Sequence, residues 1–495
     1  MLNHSAMKLA KAMATVGGLT GLSRVAGFIR DILTAAILGA GPIADAFIIA
    51  LKLPNLFRRI TAEGAFSVSF VPIYSEIIET AGREEADEFA SNAFMVMLSI
   101  LSIFVVLALI ATPWLIYVIA PGFTDDPLRY YTAVELSRIT FPYLIMISLT
   151  ALLGGVLNAL NRFAPFAFAP VLFNVALITA LLFSDMAETA GHAMAWGVLG
   201  AGVLQLVWLL LSAHRAGFRV RFRRPKFDGR IKRVFKLMGP GVLGAGVVQL
   251  NLFADMIMGS FMGTGAIAYL YYADRLNQLP LGMIGIAVGT ALLPMLSKAV
   301  AGKRKEEAAD LFNRAMEYCF LLGLPASAAL AVFAAPIIGT LFERGAFDAL
   351  ATHQTSMVLM AYTLGLSAHI AIKVFSTVHW AHSDTKTPVK IAIVSTVFNI
   401  GLSIVLIQFM GVVGIALATS IAGWLQFALH WRAMKKRDGF GFDDQFKGAF
   451  VKILTASAMM IAVTYGLVWT LGYLEVELNK ILHLAVIVIT GGVIY

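Results

Sequence analysis

Taken as a pattern of apolar and polar positions, the 495-residue chain is a series of long apolar runs joined by short polar connections. About fourteen runs reach spanning length, at roughly 11–38, 43–62, 89–120, 132–157, 166–184, 192–213, 234–260, 266–297, 309–333, 352–380, 389–409, 412–431, 448–471 and 480–495. A helix needs about 20 predominantly apolar residues to cross the hydrocarbon core. A membrane β-barrel would instead alternate in segments of roughly ten residues, a pattern this chain lacks. The predicted fold is an all-α polytopic membrane protein. The first run has no A-x-A stop and is too long and too charged for a cleavable signal. The last run ends abruptly at Tyr495, as though the natural chain continued.

The polar connections alternate in charge. The even-numbered ones hold Arg83, Arg162, the strongly basic stretch 214–236, and then 298–314, 382–390 and 430–447; odd-numbered ones such as 121–131, 184–192 and 474–479 have almost no Lys or Arg. Basic connections stay cytoplasmic during insertion, which predicts that both termini are cytoplasmic. The formal net charge of +9 is thereby explained as an orientation signal, with contact to lipid headgroups as a by-product, and not as a nucleic-acid surface.

Self-comparison reveals a repeat. Residues 39–54 align with 263–280, 66–77 with 288–299, and 161–178 with 384–404, which sets Asn174 over Asn399 at a shift of 225. Six helices repeated in parallel form a transporter architecture with the site at the repeat interface. The predicted organisation is an N-lobe (1–220, helices 1–6), a C-lobe (221–440, helices 7–12) and a C-terminal helix pair (441–495). The two pseudo-symmetric lobes would surround a central cavity.

Some apolar runs carry charge. Thr20 to Phe66 holds Arg24, Arg30, Asp31, Asp45, Lys52, Arg58, Arg59 and Glu63. A charge at the centre of a membrane helix costs at least about 2.5–3.5 kcal/mol on insertion scales, so such residues usually face an interior pathway. Arg24 and Asp31 are seven apart and share a helix face, as do Asp45, Lys52 and Arg59; in the second half Tyr271, Arg275 and Gln278 share one, beside Asp274. Lys52, Arg59 and Glu63 read as snorkelling residues at a helix end, Asp45 as a cap after Gly39–Pro42, and Arg58 falls between the two readings. Arg24, Arg30 and Arg275, flanked by apolar sequence, read as functional. Arginine pairs bidentately with phosphate and stays charged when desolvated, so the class of ligand is anionic, with Asp31 and Asp274 as resting counter-charges.

Composition fits this picture: 59% of residues are hydrophobic and 14% charged, against about 25% charged in soluble domains. The single Cys319 argues against disulfides and cysteine metal sites. His379 and His382, in HWAHSD, read as interfacial, and the chain lacks Walker A, GxSxG and HExxH patterns, so no enzyme activity is expected.

The stretches LSRVAGFIRDILTAAILGAG, ADAFIIALKLPNLFRRITAEGAFSVSFVPIY, YYADRLNQLPLGMIGIAVGTALLPMLSK and DTKTPVKIAI resemble the bacterial lipid II flippases called MurJ or MviN, of the multidrug/oligosaccharidyl-lipid/polysaccharide flippase superfamily. The resemblance runs along essentially the whole chain. It implies two lobes in a V, a C-terminal pair forming a groove for the polyprenyl tail, and movement of lipid-linked peptidoglycan precursor from the cytoplasmic to the periplasmic leaflet of the inner membrane. It implies that the essential cavity arginines are Arg24, Arg30, Arg58 and Arg275 and that Asp31 and Asp45 are important acids. Gln278 stands where members often have Glu, and Ala268 where some have a hydroxyl residue. A sodium site of some members maps onto Asp255, Asn399 and Thr419, with Ser403 replacing an acidic member; the alternative driving force is the membrane potential alone. Lipid II, membrane lipids and other cell-wall synthesis proteins are the implied partners of a monomer. Rival readings are a multidrug exporter, a flippase for another lipid-linked oligosaccharide, and an enzyme acting on polyprenyl phosphates; a basic pocket argues against the first, and missing paired acids against the last.

Overall fold

The computed structural model describes residues 2–58, 66–436, 441–473 and 479–495. Arg59 and Glu63 lie outside the described residues. Among those described there are seventeen α-helices and no strand. Contacts group the chain into two compact units, Met1–Gly265 and Ala266–Tyr495. The first holds α1 (Leu2–Leu38), α2 (Pro42–Arg58), α3 (Ser67–Ala81), α4 (Arg83–Ile119), α5 (Pro127–Thr140), α6 (Tyr143–Ala159), α7 (Ala164–Leu182), α8 (Ala190–Arg215) and α9 (Gly229–Ser260). The second holds α10 (Ala266–Ala301), α11 (Lys305–Val332), α12 (Ala334–Leu341), α13 (Ala349–Ala381), α14 (Lys386–Met410), α15 (Val412–Lys435), α16 (Asp444–Tyr473) and α17 (Lys480–Ile494). The α9 helix, which opens the second sequence repeat, packs on α3 and α4 of the first unit.

Nine helical stretches among the described residues are long and apolar enough to cross a membrane. The chain is a multi-pass membrane protein. The predicted run at 132–157 is two helices, interrupted at Phe141–Pro142, where both residues keep helical dihedrals but Pro142 supplies no N–H to the ladder. Helices α3 and α12 are additional short elements that the apolar pattern does not separate. Several starts are capped as their sequences require: Asp126 accepts from Leu128 and Arg129 N–H at α5, Asp228 from Ile231 at α9, and Asp348 from Ala351 at α13.

Each unit has its own core. In the first, the rings of Phe66, Phe70, Tyr74 and Phe89 stack at 5.2–5.7 Å against Leu152, Leu153 and Val156 of α6. In the second, Phe312, Phe320, Phe375, Phe427, Phe446 and Phe450 interlock α11, α13, α15 and α16. In lipid, helix association rests on close packing over small residues and on interhelical hydrogen bonds. Gly365 of α13 shows both: a Cβ there would lie 2.6 Å from Ser420 Cα, and Ser420 Oγ donates to the Ala361 and Tyr362 carbonyls at 2.6 and 3.0 Å. Gly365→Val should therefore part α13 from α15, seen as loss of monodisperse protein in detergent; Gly401→Val, where a Cβ meets nothing, is the control.

The basic segment after α8 is strapped down. Asn92 of α4 donates to the Lys226 carbonyl and accepts from Lys226 N–H, both at 2.8 Å, and Arg221 N–H donates to Ser91 Oγ at 3.2 Å. Arg221 pairs with Glu84 at 3.6 Å, Arg223 with Glu88 at 2.8 Å, Arg233 with Glu76 at 3.0 Å, and Arg230 with Glu85. The Arg233 guanidinium holds the Glu76 carboxyl below the usual range. Exposed pairs of this kind contribute at most about 1 kcal/mol each, so the strap's backbone bonds matter as much as its charges.

Candidate functional site

In the first unit, α1 packs on α7 and brings Arg30 to Asn174. Arg30 lies in an otherwise apolar stretch and is mostly buried, its side chain 12% exposed. Its Nε and Nη2 donate to Asp31 Oδ1 at 3.1 and 2.6 Å, and its Nη1 donates to Asn174 Oδ1 at 2.9 Å. The Asn174 amide is fixed in turn, since its Nδ2 donates to the Ser23 carbonyl at 3.0 Å. The guanidinium also lies 5.9 Å from the Phe173 ring centroid. Arg30 is thus a mostly buried cation with a defined orientation and an adjacent carboxylate. That carboxylate belongs to Asp31 and not to a residue one helical turn away. Arg24, on the same helix, is exposed, and Arg58 is half-buried at the end of α2.

Asp45 is placed elsewhere. It is fully buried in the first turn of α2, and Gly265 N–H donates to its Oδ2 at 2.7 Å. Arg129 Nη2 lies 3.3 Å from the same oxygen. Arg129 Nη1 donates to the Met262 carbonyl at 3.3 Å and its guanidinium sits 4.1 Å from the Phe123 ring centroid. Gly122 completes the node: its N–H donates to Ser260 Oγ at 3.0 Å, and a Cβ there would fall 2.3 Å from the Ser260 carbonyl oxygen. The Asp45 carboxylate therefore pins the segment following α9 to α2 and α5.

In the second unit, Arg275 of α10 is half-buried, 4.6 Å from the Tyr271 ring centroid, within cation–π range. Gln278, exposed, donates from Nε2 to Asp274 Oδ2. The predicted face of Tyr271, Arg275 and Gln278 with Asp274 beside it is present on α10.

The three proposed sodium donors divide between the units. Asn399 is buried on α14 and Thr419 half-buried on the neighbouring α15, its hydroxyl donating to the Ile415 carbonyl at 3.1 Å, while Asp255 lies on α9. A carboxylate, an amide and a hydroxyl are hard oxygen donors of the kind alkali and alkaline-earth cations take. Among the described residues no group of three or more His, Cys, Asp or Glu has metal-site geometry.

His379 is 1% exposed, with its Nδ1 3.2 Å from Asp384 Oδ2 and its ring 5.4 Å from that of His430. Burial pushes the Asp384 carboxyl up, but Thr387, through backbone and side chain, and His379 outweigh it and hold it well below the usual range. A depressed carboxylate contributes stability that is complete above its unfolded value, about 3.9, and is lost as pH falls through the lower folded value. Asp384→Ala removes the bond to Thr387 N–H (3.0 Å) and should cost about 1 kcal/mol at neutral pH, with the deficit relative to the parent closing in strong acid; denaturant melts across pH check it.

Against this geometry, the family model described as Lipid II flippase MurJ matches residues 34–484. The chain belongs to the lipid II flippase MurJ family. A relative from Rhizobium meliloti (strain 1021), described as a probable lipid II flippase MurJ, is 40% identical, covering 93% of this chain and 86% of its own. The Burkholderia cenocepacia protein described as lipid II flippase MurJ is 35% identical over 93% of this chain and 90% of its own. A solved MurJ structure, in an inward closed conformation, superposes with a TM-score of 0.80 at 27% identity, covering 97% of each chain. A multidrug resistance MATE family transporter of the MOP superfamily shares the fold, at TM-score 0.69 and 15% identity over 85% of this chain and 96% of that one. MurJ membership makes the chain a transporter and not an enzyme.

Two groups tied to these residues were not anticipated. Asn174 stood out only as a repeat position, and the repeat itself was the signal that could have marked it. Arg129 sits in an odd-numbered connection poor in Lys and Arg, and its isolation there is the one local hint.

Proposed function

We propose that this protein flips lipid II, undecaprenyl-diphosphate-linked peptidoglycan precursor, from the cytoplasmic to the periplasmic leaflet of the inner membrane, with both termini cytoplasmic. The observation that carries the reading is Arg30. It is an oriented, mostly buried guanidinium held by the carboxylate of its neighbour Asp31, on a chain whose relatives are described as lipid II flippases.

Asp31 gives both Arg30 donors one oxygen, Oδ1, whereas a diphosphate offers several oxygens that match the guanidinium fork, with more charge. Arg24, Arg30 and Arg58 of the first unit, with Arg275 of the second, would hold it, while Asp31 and the Asp274–Gln278 pair hold the arginines when no substrate is bound. Binding then favours whichever state brings more of these cations to the phosphates, and a ligand shifts an equilibrium only by such a difference. Positive charge moving with the units responds to the membrane potential at about 2.3 kcal/mol per charge per 100 mV. Asp255, Asn399 and Thr419 would hold a sodium ion, which would supply an additional bound positive charge. The helices α16 and α17 would form the polyprenyl groove, and the protein would act as a monomer alongside other cell-wall synthesis proteins.

The test is depletion of the cell's own flippase with this chain supplied in its place. Lipid II should leave the cytoplasmic leaflet when the parent is expressed. Accumulation there with normally folded protein in the membrane would sink the proposal.

A further inference from the structure

The first unit contains a second feature that the arginine site does not use. Between α4, α6 and the start of α9 lies a pocket of about 100 Å³, walled by Phe66, Val96, Leu101, Val234 and Met238. Its one polar wall group is Ser148 of α6, which is 1% exposed and whose Oγ has no hydrogen-bond partner among the described residues. An apolar space with one idle donor is poor lodging for water, which needs two or more polar partners. It suits a hydrocarbon chain whose ester carbonyl accepts from that hydroxyl.

The charges on α9 say which kind of chain. At 100° per residue, Lys232 and Lys236 lie about 60° and 100° round the helix from the pocket-lining Phe235, while Arg230 and Arg233 lie toward the other side. Those two arginines are committed to Glu85 and Glu76. Lys232 and Lys236 are exposed and have no ion pair among the described residues. Phe235 and Leu237, 39% and 51% exposed, flank them with apolar surface of the kind that enters the headgroup boundary. We propose that this pocket binds a short segment of one acyl chain of an anionic glycerophospholipid, with Lys232 and Lys236 taking its phosphate.

The test uses the full chain carrying Ile100→Trp, a replacement at the pocket wall, in phosphatidylcholine vesicles containing a minor fraction of phosphatidylglycerol. One or the other lipid carries brominated chains as the quencher, and the same protein without Ile100→Trp supplies the background. Brominated phosphatidylglycerol should quench the added tryptophan well beyond equal amounts of brominated phosphatidylcholine. Lys232→Gln and Lys236→Gln, both at exposed positions, should each lower that preference roughly fivefold, and Ala93→Leu, which fills the pocket, should remove the quenching of both lipids. Equal quenching by the two lipids, or a preference unchanged in the double lysine variant, overturns the proposal. Displacement of the quencher by undecaprenyl phosphate would assign the pocket to the transported chain and overturn it too. Because the readout is binding without transport, it can fail while the flippase reading stands.

Discussion

Arg30→Ala should abolish rescue of flippase-depleted cells while the protein still reaches the membrane. Removing the guanidinium leaves the Asp31 carboxylate, 6% exposed, without the donor at 2.6 Å. Truncating one partner of a buried hydrogen-bonded charge pair costs about 2–5 kcal/mol, or roughly thirtyfold to several thousandfold in an equilibrium. If the same arginine also grips the diphosphate, the loss is compounded at the step that matters. Arg30→Lys keeps the charge and loses the paired donors that meet Asp31 Oδ1, so it should retain partial rescue if charge alone is needed, and little if bidentate geometry to phosphate is needed. Arg275→Lys should keep part of the rescue, since contact with the Tyr271 ring is open to any cation. Growth rate and the leaflet distribution of lipid II are the readouts. Full rescue by both Arg30→Ala and Arg275→Ala would mean that transport needs neither cation.

Asp45→Ala should be the most destabilising single change in the first unit. Asp45 is 0% exposed and its partner Arg129 only 4%, and breaking a buried pair by removing one member costs about 3–5 kcal/mol because the other charge is stranded. The Gly265 N–H, bonded to the same oxygen, would be orphaned at once. Asp45→Ala combined with Arg129→Met should recover a large part of the loss, since no charge is then left buried. A denaturant series in detergent on the four members of that cycle measures the coupling. Simple additivity of the two single changes would show that Asp45 acts through Gly265 and not through Arg129.

These residues differ in how far the sequence alone discloses them. Arg24, Arg30 and Arg275 stand out in the sequence as candidates because a cation inside an apolar run has few innocent explanations. The break between α5 and α6 was legible in principle at Pro142, although hydrophobicity alone joins the two helices. What one-dimensional spacing could not supply was partnership across the chain. Asn174 is 144 residues from Arg30, and Gly265 is 220 from Asp45. The helix-face argument set Asp31 with Arg24, seven residues back, whereas the two Arg30 donors reach round to their immediate neighbour. His379 was marked in the sequence only by its place near a helix end; that the following turn brings Asp384 to it depends on Ser383 in a left-handed conformation (φ 57°), which a run of hydrophobicities does not encode.

The strap after α8 has a consequence in time. Basic residues orient a membrane chain while it is being threaded into the bilayer, before distant segments meet. Arg221, Arg223, Arg230 and Arg233 are bare cations at that moment, and their acids at Glu76, Glu84, Glu85 and Glu88 were made more than a hundred residues earlier. Once the unit closes, all four arginines are paired, and part of the orientation signal is cancelled by the fold it directed. A glutamate-to-lysine change at these four positions would strengthen the address written on the nascent chain and unfasten the strap in the finished one.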